Sequence, residues 1–68
     1  MWTVYDEHGD NLGETYSKLD ALNMARMHIA RGAMYVTLYP SHVAAYFRVS
    51  ADDTAPKGFR IETIGSGM

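Results

Sequence analysis

Between positions 34 and 49 the chain reads MYVTLYPSHVAAYFRV, and within each half its large aliphatic residues and Phe47 keep to one parity, with the tyrosines on the other. Met34, Val36 and Leu38 alternate with Tyr35, Thr37 and Tyr39; Val43, Ala45, Phe47 and Val49 alternate with Ala44, Tyr46 and Arg48. A period of two is that of a strand with one face packed and the other turned away. Between the runs, Tyr39-Pro40-Ser41-His42 suits a tight turn, because proline in its second position presets φ. The stretch therefore predicts a β-hairpin.

The first fifteen or so residues predict another hairpin. WTVY places Trp2 and Val4 on one face and Thr3 and Tyr5 on the other, the turn formers His8, Gly9, Asp10 and Asn11 follow, and LGETY gives the return strand. In SKLDALNMARMHIARG the period lengthens to that of a helix over residues 18–31. Ser17 can cap its first turn, Asp20 can close a weak capping box, and Gly32 ends it. At about 100° per residue, Leu19, Ala21, Leu22, Ala25 and Ile29 share one sector. They should pack on Trp2, Val4, Met34, Val36, Leu38, Val43, Ala45, Phe47 and Val49. SADDTAPKG reads as a loop, and FRIETI as a short last strand with Phe59 and Ile61 on one face. The expected fold is α+β, a ββαββ domain spanning residues 1–64. One helix packs on one face of a mostly antiparallel sheet of four or five strands, and residues 65–68 form a loose tail.

Composition narrows the function classes. A chain of 68 residues forms a small domain that buries about 60% of its unfolded surface, which leaves little room for a deep catalytic pocket. Hydrophobic residues at 47% and charged residues at 21% are a globular composition. The lack of cysteine excludes a disulfide scaffold and fits a reducing compartment. No apolar run approaches the roughly 18 residues of a membrane span, and the opening MWTVYDEHGD has no signal-peptide pattern. The expectation is a cytoplasmic protein that does not enter a membrane. A formal charge of −2 argues against a nucleic-acid binder driven by counterion release.

The usual chemical motifs are missing. His8, His28 and His42 have no ligand spacing, and DEHGDNLGE lacks the alternating ligands of a calcium loop. Asp52-Asp53 have no partner for acid–base work, Ser41 beside His42 is adjacency in a turn, and the glycines form no phosphate cradle. The expectation is a non-enzyme with no metal and no cofactor.

What remains is the face turned away from the helix. It carries Tyr5, Tyr35, Tyr39 and Tyr46 with Arg48, and tyrosine is favoured at interfaces because it brings a large rigid contact area and a wettable hydroxyl. These five residues are the candidate partner-binding set. Met24 and Met27, on the helix sector opposite the core stripe, are a candidate second interface. The architecture resembles small helix-on-sheet domains of short accessory proteins, including phage and mobile-element proteins that bind and inhibit a host protein. That resemblance implies a protein partner. The alternatives are single-stranded nucleic acid stacked on the same tyrosines, with Arg48, Arg60 and Lys57 as cations, or a purely structural homodimer.

Overall fold

The computed structural model describes residues 1–65; residues 66–68 of the expected tail lie outside the described residues. Strands β1 (Trp2–Tyr5) and β2 (Asn11–Thr15) precede helix α1 (Lys18–Ala30), and strands β3 (Tyr35–Pro40), β4 (Tyr46–Ala51) and β5 (Phe59–Ile64) follow it. All pairings are antiparallel, in one open sheet of order β2-β1-β3-β4-β5. The expected α+β domain, with one helix on one sheet face, is the observed one.

Local chemistry sets the boundaries of α1. Ser17 Oγ accepts the Asp20 N–H at 3.1 Å, which satisfies one of the free donors of the first turn. At the other end, Gly32 N–H bonds Ile29 C=O and Ala33 N–H bonds His28 C=O, both at 3.0 Å. This crossed pair needs a left-handed residue between them, and Gly32 supplies it at φ +107°.

The core is formed by Val4, Val36, Leu38 and Val49 from the sheet and Ala21 and Ala25 from α1, all fully buried. The two alanines let the helix approach the central strands closely. Trp2 and Phe47 close one end, with ring centroids 5.6 Å apart and the Lys18 ammonium 4.6 Å from the Phe47 ring.

The helix is turned by about 60° from the sector drawn on the sequence, and burial differs from the expectation at Met24 and Leu19 on the helix and at Met34 and Val43 outside it. Met24, expected in solvent, packs half-buried against the core. Gly13 lies opposite Val4 in the β1–β2 pairing, and the empty space above it takes the Met24 side chain, whose Cε would lie 3.5 Å from a Cβ built there. Leu19 swings the other way and is 67% exposed, because α1 covers the other four strands and scarcely reaches β5. Met34 and Val43 are exposed as well. Met34 precedes β3, while β3 stays paired to β1 through Pro40 and a Ser41 N–H to Met1 C=O bond of 3.0 Å. The connection to β4 is therefore a wider loop over residues 41–45 than the tight turn expected at 39–42, and it lifts Val43 off the sheet.

Gly13 has φ +142°, a backbone state that side chains rarely adopt. Gly13→Ala should cost about 1–2 kcal/mol through backbone strain alone, since the added methyl meets Met24 only at ordinary contact distance. Urea denaturation measures it; an unchanged midpoint would show that β2 adjusts freely.

The loop over residues 52–58 folds back on itself, with an Asp52 N–H to Gly58 C=O bond of 3.0 Å. The Thr54 hydroxyl, and secondarily its N–H, hold the Asp52 carboxyl below the ordinary aspartate value of 3.8. A depressed folded value means that this contribution is present above the unfolded pKa and is lost as pH falls through the folded one. The Thr54 amide resonance should therefore titrate with a midpoint below 3.8; a midpoint at or above that value contradicts the bond.

Candidate functional site

The site is the sheet face opposite α1. Register places its residues in rows across the strands: Tyr5, Thr37, Arg48 and Glu62 form one row, and Tyr35, Ser50 and Arg60 the next. Beyond Leu38↔Phe47, Tyr39 and Tyr46 face each other in a third row, with stacked rings 4.9 Å apart. The Tyr5 ring meets Tyr39 edge-on at 5.4 Å. Edge-on and offset contacts are the favoured aromatic geometries, so the three rings hold one another. Thr37 lies beneath them, 6% exposed.

Arg48 completes the platform. Its guanidinium carbon stands 4.4 Å above the Tyr35 ring, and its Nε is buried without a hydrogen-bond partner among the described residues. Tyr35 is fixed from its other end, since its hydroxyl donates to the Glu7 C=O at 3.3 Å.

That bond belongs to a wall missed at the level of sequence. The β1–β2 turn, residues 6–10, curls over the tyrosine face, where Glu7 Oε2 accepts the Met34 N–H at 2.7 Å. Within the turn, Asp6 Oδ1 accepts the N–H groups of His8 and Asp10 at 2.9 and 2.8 Å. Asp6, Glu7, His8 and Gly9 thus join the tyrosines, Thr37 and Arg48 around an open concavity of about 630 Å³. The composition of the turn signals a turn, but nothing in it signals a bond to a residue 27 positions away.

All five candidate partner-binding residues are therefore together. Tyr16 belongs to neither face and is 87% exposed just before α1. The methionine pair is split: Met27 is exposed, whereas Met24 is engaged in packing over Gly13. The three cations proposed for a nucleic-acid strand are also divided. Arg60 pairs with Glu62 at 3.6 Å on the tyrosine side, and Lys57 lines a groove with helix residues on the opposite side.

The last strand does not cross the tyrosines. β5 pairs with β4 from Phe59↔Ala51 to Ile64↔Tyr46, and Pro56 and Lys57 of the preceding loop line a groove on the helix side with Leu22 and Arg26 of α1. Among the described residues, only the β1–β2 turn overhangs the aromatic face, at one end. No helix among them is long and apolar enough to cross a membrane. No protein-family model, curated protein or solved structure matches the chain.

Proposed function

We propose that the chain is a non-catalytic protein-binding module whose partner docks on the tyrosine face, with Tyr5, Tyr35, Tyr39 and Tyr46 as apolar anchors and Arg48 as the central polar contact. The observation that supports this most directly is a sheet face that no helix covers, carrying four tyrosines in mutual or cationic contact. Here Tyr39 keeps 42% of its surface exposed. Pre-ordered aromatic rings lose little entropy on binding and form the hot spots of many interfaces.

Occlusion of a host enzyme or assembly, in the manner of the small accessory proteins that share this architecture, is the concrete form of the proposal. Lack of cysteine is compatible with action in a reducing cytoplasm. A protein partner is favoured over single-stranded nucleic acid by the rim, where Asp6 and Glu7 flank the tyrosines while Lys57 lies on the far side. A photo-crosslinking amino acid placed at position 46 should trap a partner protein in the producing cell, and one at position 30, on the exposed side of α1, should not. Equal trapping at both positions, or none at position 46, contradicts the proposal.

A further inference from the structure

The sheet has two free edges, and they differ. β2 is blunted by a shift in register against β1 between Val4 and Tyr5 and by Gly13 at φ +142°, devices that discourage edge pairing. β5 is unbroken: it follows β4 residue for residue along its whole length and contains neither proline nor glycine.

Its side chains are self-complementary. Arg60 and Glu62 flank Ile61 and point to the tyrosine side, where they lie 3.6 Å apart. In an antiparallel pair, opposed residues share a face and interact directly. If two β5 strands pair about a two-fold axis at Ile61, Ile61 meets Ile61, Phe59 meets Thr63, and Arg60 of each copy meets Glu62 of the other. Centring the axis on Arg60 or Glu62 sets like charges against each other. Centring it between residues puts the helix side of one copy level with the tyrosine side of the other. Charges that guard an edge repel their own copies; these attract them in one register.

The helix side of β5 gives the second reason. Ile61 is 44% exposed where the pattern demands burial, and Leu19 is 67% exposed. Both line a groove of about 400 Å³ between α1 and β5, with Leu22, Pro56 and Phe59. Ile61 of a second copy would lie at the open side of this groove.

We infer that β5 is a homotypic docking edge through which two copies form an antiparallel two-fold dimer centred on Ile61, with reciprocal Arg60–Glu62 pairs. The dimer is one continuous sheet with both tyrosine faces on the same side. This inference does not depend on the proposed function. A single strand pair buries less than the roughly 1,600 Å² of a standard interface, so association is weak and shows at high micromolar concentration.

Sedimentation equilibrium of the full chain at low ionic strength tests it. The wild type should follow a monomer–dimer equilibrium, and R60E and E62R, each setting like charges opposite each other twice, should each weaken it by about tenfold or more. An equimolar mixture of R60E and E62R should dimerise at least as well as wild type, because opposite charges then meet at both positions. Amide exchange of the wild type provides a check free of mutations: protection at residues 60–63 should rise with concentration. A chain that stays monomeric at millimolar concentration, a dimer indifferent to both reversals, or a mixture no stronger than its components overturns the inference.

Discussion

Leu38→Ala is expected to remove about 3 kcal/mol of folding stability, within the 2–5 kcal/mol typical of such truncations. The side chain is fully buried in the central strand, opposite Val4 on β1 and Phe47 on β4, with Ala21 and Ala25 of the helix completing the core. The alanines that bring the helix close have no longer side chain to fold into the cavity, so relaxation is limited. At roughly 0.05–0.15 kcal/mol per residue, a domain of this size has only about 3–10 kcal/mol in total. Taking about 3 kcal/mol from that leaves between almost nothing and about 7 kcal/mol, so the urea midpoint should fall by about a third or more. Urea denaturation followed by far-ultraviolet circular dichroism measures the loss; a cost below about 1 kcal/mol would mean that the core is looser than these contacts imply.

The double change Tyr39→Ala with Tyr46→Ala should have the opposite profile. These rings stack on each other above the sheet, outside the helix-side core, so their loss should cost stability only about 1–2 kcal/mol, mostly cross-strand contact. Partner affinity should fall by about 30-fold or more, as expected when two central aromatic anchors are removed. Titration calorimetry against the trapped partner reads the affinity, and thermal denaturation supplies the structural control. Raising the salt concentration should change the wild-type affinity little, whereas a nucleic-acid strand held by phosphate contacts would be released steeply. A variant that unfolds, or one that binds as wild type does, would move the tyrosines from the interface to the scaffold.

The parts of this fold that follow a strict period were legible in the sequence. The parity of residues 35–39 and 46–49 separates Val36, Leu38, Phe47 and Val49 from Tyr35, Thr37, Tyr39, Tyr46 and Arg48, and the observed register keeps that division. Ser17 and Gly32 marked the helix ends for the same reason, since capping is decided within a few residues. What escaped depends on contacts between distant segments. The rotation of α1 accompanies the packing of Met24 over Gly13 and the position of β5, whose contact with the helix is slight. Parity carried Val43 into the expected core because it takes no account of where strand pairing stops. The wall of the site is of the same kind, since the bond from Met34 N–H to Glu7 forms only once both hairpins are in place.

The most direct test of the central claim is the accessibility of the tyrosine rings in the free protein, measured by NMR relaxation with a soluble paramagnetic agent over a dilution series. Strong relaxation of the Tyr39 and Tyr46 ring protons, and weaker but clear relaxation at Tyr5 and Tyr35, is expected in the most dilute sample. Protection of all four rings that persists on dilution would mean that the chain covers its own aromatic face, and would contradict an open docking surface there.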